Sequence, residues 1–159
     1  MSEVKPLVSV IMNCHNGGKF LEQSVNSIIS QTYKNWELIF WDNASQDNSK
    51  EIINKFSDNR IKYFRSKKFN RLYESRNLAI QNSKGEFVSF LDTDDMWQKD
   101  KLEKHMNFFS KNIDYEIVYS NYYILMTMIE EKIKPMHRMS IDFYFFLFGQ
   151  FHIQNQYIH

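Results

Sequence analysis

The stretch Phe87-Val-Ser-Phe-Leu-Asp-Thr-Asp-Asp95 changes abruptly from apolar to acidic. Five mostly apolar residues are followed by three carboxylates within four positions. A short apolar run before a polar break is typical of a buried strand of a parallel sheet. Acidic side chains at the end of such a strand would lie at the carboxyl edge, where open α/β sheets bind ligands. The stretch therefore predicts an α/β fold with an acidic ligand site at one edge of its sheet.

The three carboxylates of this stretch, Asp92, Asp94 and Asp95, allow two interpretations. Carboxylates this close repel one another, which raises their pKa values unless a cation lies between them. A hard divalent cation such as Mg²⁺ or Mn²⁺ suits them, because one or two carboxylates hold it while water and substrate phosphates complete its shell. Alternatively, Asp94 or Asp95 caps a helix that begins near Gln98. The motif alone leaves both interpretations open.

Composition places the chain among ordinary globular proteins. It has 159 residues, of which 43% are hydrophobic and 25% charged, which is enough for one domain with a core. The net charge of +1 gives no electrostatic reason to expect a nucleic-acid partner. The single cysteine, Cys14, excludes an internal disulfide. The N-terminus lacks the form of a signal peptide, and no apolar run reaches the roughly 18 residues of a membrane span.

Apolar runs typical of strands alternate with segments of helical periodicity over the first 120 residues. The predicted strands are residues 7–12, 36–41, 61–65, 87–91 and 115–119. The predicted helices are residues 19–31, 48–56, 71–82 and 99–111. This order predicts a mostly parallel, twisted sheet with helices on both faces, which is a three-layer α/β/α architecture.

Local patterns add detail to this architecture. The first predicted helix has an apolar face that consists of Phe20, Leu21, Val25, Ile28 and Ile29. Gly85, after the third helix, suits a left-handed C-terminal cap. Residues 122–129 could form a strand or a hairpin. The aromatic-rich residues 141–151 are interpreted as core or as a surface that packs on something else, with an interfacial membrane segment or an acceptor groove as the alternatives.

Polar side chains follow three of the predicted strands, at Asn13–Asn16, Asp42–Asn43 and Asp92–Asp95. Parallel strands bring their carboxyl ends to one edge, so these side chains are expected to converge. A carboxylate at Asp42 suits a base or ribose edge, because it accepts hydrogen bonds from N–H and O–H groups. The alternative for Asp42 and Asn43 is an Asx turn.

Two basic side chains have both a functional and a structural interpretation. His15 could stack on a planar ring or donate to a phosphate, or it could be a loop residue satisfied by backbone. Arg76 lies on the helix before the acidic stretch and could form a fork on a diphosphate. Its structural interpretation is a surface ion pair with Glu74 or Glu86. The sequence has neither a Gly-x-x-x-x-Gly-Lys-Ser/Thr loop nor a Gly-x-Gly-x-x-Gly turn, which argues against P-loop enzymes and dinucleotide dehydrogenases.

Five blocks carry a resemblance to a known family: Val8–Asn16, Leu21–Tyr33, Trp36–Asn48, Ser75–Ala79 and Gly85–Trp97. In this order and spacing they resemble the family 2 glycosyltransferases, which have the nucleotide-sugar-binding GT-A fold. The resemblance covers residues 7 to about 120. Three positions depart from the family pattern and bear on the base preference more than on the fold. The family usually has Thr or Val at the position of Asn13, Tyr at that of His15, and a second Asp at that of Asn43.

The resemblance implies roles for the polar residues at the strand ends. Asp42 would bind the donor base, uracil in a UDP-sugar, and Asp92 the ribose region. Asp94, together with Asp92, would ligate the Mn²⁺ or Mg²⁺ ion that bridges the donor diphosphate. Arg76 would lie near the phosphates. The base and ribose pocket would be lined by Asn13, His15 and Asn16.

The resemblance further implies a metal-assisted, inverting transfer of a sugar from a nucleotide-diphosphate donor to a saccharide or lipid-linked acceptor. Residues 1–120 would be the nucleotide-sugar-binding α/β domain, and residues 121–159 the start of an acceptor-side segment. The general base that deprotonates the acceptor is expected beyond His159. Two alternatives stay open: a non-catalytic or truncated nucleotide-sugar-binding module, and a regulatory domain that accepts phosphate. The expected location is cytoplasmic, with the aromatic tail indicating peripheral contact at the inner face of the membrane.

Overall fold

The computed structural model describes residues 5–121, 123, 146 and 147. Its strands are β1 (Val8–Cys14), β2 (Trp36–Asp42), β3 (Ile61–Arg65), β4 (Phe87–Phe90) and β5 (Phe146–Leu147). Its helices are α1 (Gly18–Ile29), α2 (Ser49–Ile53), α3 (Leu72–Gln81) and α4 (Lys101–Lys111). Within this described part of the chain, no helix has both the length and the apolar character needed to cross a bilayer.

The strands form one sheet in the order β3-β2-β1-β4-β5. The strands β1 to β4 are parallel, whereas β5 runs antiparallel to β4. Central strands that are covered on both faces need apolar side chains on both, and the runs in β1 and β2 supply them. The predicted α/β class and the mostly parallel sheet are confirmed.

Alternate residues of the central strands face two separate apolar clusters. On one face, Val10 and Met12 of β1 belong to a cluster with side chains of α1, α2 and α4. On the other face, Ile11 of β1 belongs to a cluster with Ala79 of α3. Helices therefore cover both faces of the sheet, as the three-layer prediction requires.

Helix α1 buries a face that differs in part from the predicted one. Three of the predicted apolar residues are fully buried: Leu21, Val25 and Ile28. However, Phe20 is 40% exposed and Ile29 is only partly buried, whereas Ser24 and Ser27 are buried. The two serines pack against a polar loop, so the buried face extends further around the helix than its apolar residues indicate.

All four predicted helices are longer than the observed ones, and one predicted strand is wrong. The helix α2 ends at Ile53 rather than at Phe56, and α4 begins at Lys101 rather than at residue 99. Residues 115–119 form no strand. The physical reason is that the position beside β4 is filled by β5, which comes from much later in the chain.

The predicted strand or hairpin at residues 122–129 lies outside the described residues, apart from Tyr123. The aromatic-rich residues 141–151 also lie outside them, apart from the backbone of Phe146 and Leu147, which forms β5.

A buried polar network joins β1, β2 and the start of β4 at the amino edge of the sheet. The Ser9 hydroxyl donates to Glu37 Oε1 (2.6 Å), and the backbone N–H of Lys84 donates to the same oxygen (2.7 Å). The N–H of Gly85 donates to Ser9 Oγ (2.8 Å). Gly85 is not left-handed, contrary to the prediction. A Cβ on Gly85 would lie 2.5 Å from the Ser9 nitrogen, so close packing is what requires glycine.

We expect Glu37→Ala to lower the free energy of unfolding by about 2 kcal/mol, because Ser9 and Lys84 would lose their acceptor. Glu37 is 7% exposed, so water cannot fully replace the carboxylate. Urea unfolding followed by circular dichroism would measure the change. The exposed Glu86→Ala is the control and should change stability by less than about 0.5 kcal/mol. An equal loss in both variants would contradict the role assigned to Glu37.

Candidate functional site

The carboxyl ends of β1, β2 and β4 lie at the same edge of the sheet. Cys14 pairs with Asp42 and Ile11 pairs with Phe90. The pairing continues into the loops, where the N–H of Asn43 donates to the Cys14 carbonyl (2.7 Å). The predicted convergence is therefore confirmed for the three polar segments, Asn13–Asn16, Asp42–Asn43 and Asp92–Asp95.

Asp42 ends β2 with its side chain fully buried. Its Oδ1 accepts from the Ser45 N–H (2.7 Å), which is the Asx-type turn that the sequence allows. Its Oδ2 accepts from the Tyr63 hydroxyl (2.7 Å) and from the Arg65 guanidinium (2.8 Å), both on β3. Burial, and then the bond to Asp42, raise the pKa of the Tyr63 phenol. Asp42 thus orders the ends of two strands, and its contact with a donor base stays a prediction.

Asn43 fastens the loop that follows β3. Its Nδ2 donates to the Asn70 carbonyl (2.8 Å), and its Oδ1 accepts from the Asn70 N–H (2.9 Å). The Asn70 side chain donates to Ser66 Oγ (2.9 Å), which also accepts from Trp41 Nε1 (3.0 Å). The loop between β3 and α3 is therefore held to the end of β2 at two residues, Ser66 and Asn70.

His15 and Phe69 bring two rings together at this edge. Their centroids lie 4.6 Å apart in an edge-to-face arrangement, and Phe69 is 59% exposed. His15 Nδ1 lies 2.9 Å from the Asn43 carbonyl, which can only accept, so Nδ1 carries the hydrogen. In a neutral imidazole Nε2 is then the acceptor, and it lies 3.4 Å from Asn16 Nδ2. His15 is thus bonded to the backbone, as its structural interpretation predicts, and its ring is also exposed at the site.

Two residues beside the site have a left-handed backbone, Asn16 (φ 55°) and Ala44 (φ 59°). Asn tolerates this conformation, whereas the Cβ of Ala makes it unfavourable by about 1 kcal/mol. Asn16 also joins the two loops, because its N–H donates to Ser45 Oγ (3.0 Å) and its Oδ1 accepts from the Gln46 N–H (2.7 Å). The loops after β1 and β2 are therefore interlocked in one conformation.

Asn13, the penultimate residue of β1, has a buried donor without a partner. Its Nδ2 is shielded from solvent and makes no hydrogen bond to any residue that the structure describes. An unsatisfied buried amide costs about 1–3 kcal/mol, so such a group calls for an explanation. A ligand acceptor at the end of β1 would satisfy this amide, which agrees with the predicted place of Asn13 in the pocket.

Arg76, on α3, pairs with Asp92 rather than with Glu74 or Glu86. Its Nη2 lies 3.2 Å from Asp92 Oδ1. Glu74 instead accepts from the Arg71 N–H (2.9 Å) at the start of α3. The two side chains of the pair are 34% and 43% exposed, so the pair contributes little to stability. The ion-pair partners that the sequence predicted are therefore wrong, and the pair joins two of the predicted site residues.

The acidic residues after β4 are not helix caps. The helix α4 begins at Lys101 and its N-cap is Asp100, so Asp94 and Asp95 lie well before it. Asp94 and Asp95 are both exposed. The pKa of Asp95 is raised by partial burial, and further by the negative charges of Asp94 and Asp92. The capping interpretation is wrong, and the repulsion expected from the sequence is present.

The helix α4 carries two basic groups, of which Lys101 interacts with the acidic loop. Burial lowers the pKa of Lys101 to about 8, against the opposing effect of the Asp95 charge. Burial lowers the pKa of His105 to about 4, and the positive charge of Lys101 lowers it further. Lys101 Nζ also donates to Ser120 Oγ (2.9 Å). The protein thus supplies one ammonium that offsets part of the loop's negative charge, and His105 is neutral at pH 7.

Comparison with known protein families matches residues 9–157 to the family described as glycosyl transferase family 2. The chain belongs to this family. The resemblance inferred from the five sequence blocks is therefore confirmed. The Escherichia coli protein UDP-Glc:alpha-D-GlcNAc-diphosphoundecaprenol beta-1,3-glucosyltransferase WfgD is 38% identical over 119 residues, which are 75% of this chain and 47% of WfgD. The chain spans about half the length of the curated relatives it matches.

Solved structures of glycosyltransferases share the fold of this family 2 chain. S. aureus TarS 1–349 in complex with UDP superposes with a TM-score of 0.63 and 27% identity, over 67% of this chain and 32% of TarS. The mannosyltransferase PcManGT from Pyrobaculum calidifontis, solved with GDP-Man and Mn²⁺, has a TM-score of 0.63 and 21% identity, over 67% of this chain and 33% of PcManGT. At that identity the second likeness concerns the fold alone. The GT-A fold expected from the resemblance is confirmed.

The carboxylate oxygens of this family 2 site suit a divalent ion that is also coordinated by a bound diphosphate. In residues 5–121, 123, 146 and 147, no group of three or more His, Cys, Asp or Glu side chains is placed to hold a metal. Asp92 and Asp94 nevertheless offer hard carboxylate oxygens on an accessible loop. Mg²⁺ and Mn²⁺ need only one or two protein carboxylates when phosphates and water complete the shell. The residues therefore fit an ion bound together with a diphosphate.

Several side chains that organise the family 2 site were missed by the sequence prediction. They are Ser24, Ser27, Gln31, Tyr63, Arg65 and Asn70. Tyr63 and Arg65 are two residues apart on β3 and share one face, which the period-two rule could have indicated. In the predicted helix 19–31, Ser24, Ser27 and Gln31 lie on one face, and this polar face was a second signal. Nothing in the local sequence indicates the partner of Asn70.

Proposed function

We propose that this family 2 chain binds the donor in a glycosyltransferase that moves a sugar from a UDP-sugar to a saccharide or lipid-linked acceptor. The convergence of three polar segments at one carboxyl edge of a GT-A sheet carries the proposal. The name of WfgD specifies UDP-Glc and alpha-D-GlcNAc-diphosphoundecaprenol, and TarS was solved with UDP. These relatives support the donor class, and the family match favours transfer over phosphate-accepting regulation.

In this proposal the base and ribose lie against the loops after β1 and β2. The Asn13 amide would donate to the ligand, while His15 and Asn16 would line the pocket. The Asp42 side chain is fully buried, so contact with the base would require one of its three partners to move aside. Arg65 is the partner that water replaces most readily, because its side chain is 42% exposed. A uracil N–H could then take the place of the Arg65 guanidinium.

The donor diphosphate would lie near the acidic loop. Asp94, with Asp92, would hold Mn²⁺ or Mg²⁺, which when bound neutralises the charge that grows on the leaving nucleoside diphosphate. Arg76 would turn from its 3.2 Å contact with Asp92 toward phosphate oxygens. This exchange costs little free energy, because the ion pair is already partly exposed.

The proposal also concerns the binding and deprotonation of the acceptor. Residues 1–120 would supply the donor domain, and residues 121–159 the start of the acceptor-side segment. Transfer with inversion would require a carboxylate base at the acceptor hydroxyl, and we assign this role to none of the described residues. We place the reaction in the cytoplasm, with contact at the inner face of the membrane when the acceptor is lipid-linked.

Isothermal titration calorimetry of the 159-residue chain with UDP tests this proposal. We expect UDP to bind about 100-fold more tightly with Mn²⁺ than with EDTA, a difference of ~2.7 kcal/mol. Thermal-shift assays with UDP, GDP and ADP, each with Mn²⁺ or Mg²⁺, would identify the base, because a ligand at about 100 times its Kd adds roughly 2.7 kcal/mol. The same UDP affinity with and without EDTA, or no shift with any of these nucleotides, would overturn it.

A further inference from the structure

Three buried polar side chains fasten the loop that carries the acidic residues. Ser24 and Ser27 lie on α1, and Gln31 follows just after its end. None of the three is more than 9% exposed. Buried polar groups are unfavourable unless their hydrogen bonds are made, and all three bond to backbone groups between residues 93 and 102. The acidic loop is thus held from one side by a single polar face.

Ser24 contacts the loop on both sides of Asp94. Its Oγ lies 2.7 Å from the Thr93 carbonyl and 2.6 Å from the Asp95 carbonyl. A hydroxyl has one hydrogen, so Ser24 donates to one of these carbonyls at a time, and both carbonyls lie against the same oxygen. A Cβ on Gly17 would lie 2.5 Å from Thr93 Oγ1, so the start of α1 also touches the loop. The backbone that carries the Asp94 carboxylate is therefore shaped around Ser24.

The remainder of the loop is held in the same way. The Trp97 N–H donates to Ser27 Oγ (3.1 Å), and Gln31 Nε2 donates to the Gln98 carbonyl (2.8 Å). The Leu102 N–H donates to Gln31 Oε1 (3.0 Å) at the start of α4. The loop therefore has anchor points at its acidic end, its middle and its far end.

We propose that Ser24 is a positioning residue for the metal and diphosphate contact of Asp94, with Gln31 supporting it at the far end of the loop. This inference rests on the proposed function. Ser24 acts through the backbone on either side of Asp94 and touches neither the ion nor UDP. Side chains that orient a metal ligand typically change metal affinity about 10–100-fold when they are removed.

Calorimetry of UDP binding, with Mn²⁺ and with EDTA, tests the inference on the wild-type chain and on Ser24→Ala. The readout is the ratio of the two affinities, because a loss of folded protein would lower both alike. We expect the ratio to fall about tenfold or more in Ser24→Ala, while the affinity in EDTA stays unchanged.

Ser9→Ala is the matched control, because Ser9 is also a fully buried hydroxyl with two hydrogen bonds but lies at the amino edge of the sheet. It should lower thermal stability to a similar extent and leave the ratio unchanged. Gln31→Met is a second variant and is decisive if Ser24→Ala does not fold; its ratio should also fall. An unchanged ratio in the folded variant overturns the inference. A wild-type ratio of one would overturn the proposed function itself.

Discussion

Replacing Asp94 by Ala should reduce the affinity for UDP in Mn²⁺ to the value measured in EDTA, a loss of about 100-fold. Asp94 is exposed on the loop after β4 and lies between two other acidic positions. In the proposed function its removal would take away one hard oxygen ligand and leave Asp92, whose Oδ1 already contacts Arg76 at 3.2 Å. Paired titrations of the wild type and the variant in both buffers would measure the loss.

Asp114→Ala is the control for Asp94→Ala. Asp114 is also exposed and carries the same charge, but it lies after α4 and outside the acidic loop. The control should keep both affinities within about twofold, because solvent and salt screen a distant surface charge. Full Mn²⁺ dependence in Asp94→Ala would show that the ion is held elsewhere.

Asp42→Ala should have the largest effect on stability, a loss of about 3 kcal/mol in the free energy of unfolding. The fully buried carboxylate accepts from Ser45, Tyr63 and Arg65, and all three would lose their acceptor together. We expect the lower end of the range for buried ion pairs, because Arg65 is 42% exposed and can return to water. Urea unfolding at fixed pH would measure the loss.

Tyr63→Phe provides a graded comparison for Asp42→Ala. It removes one of the three hydrogen bonds and should cost about 1 kcal/mol. If Asp42→Ala loses no more than Tyr63→Phe, the hydrogen bonds from Ser45 and Arg65 contribute no stability, which would contradict the expected loss. The base contact is tested separately by Asp42→Asn at a temperature where this variant is folded. A fall in UDP affinity in both Mn²⁺ and EDTA would support that contact.

The parts of the fold that depend on local patterns could be predicted from the sequence. The apolar runs of β1 and β2 indicate strands buried on both faces, and such strands require a covered parallel sheet. Parallel pairing then brings Asp42 and Asp92 to the same edge without further information. The edge of the sheet that carries the candidate site is therefore predictable from the sequence.

The contacts within the site depend on residues that are distant in sequence, and local patterns do not specify these. Ser24 meets the Thr93 carbonyl across 69 positions, and nothing near either residue indicates the other. Arg76 pairs with Asp92 rather than with Glu74, which is much closer in sequence. The wrong strand at residues 115–119 has the same origin, because the neighbour of β4 comes from residues 146 and 147.

The strand order also affects how the sheet meets other molecules in solution. Unpaired outer strands invite pairing with a second chain, and natural proteins oppose this with short strands and charged side chains. In the described part of the sheet, β3 is an outer strand, and it carries Lys62 and Arg65. Charge on this margin thus opposes pairing with a second chain, and the carboxyl edge stays available to a soluble ligand.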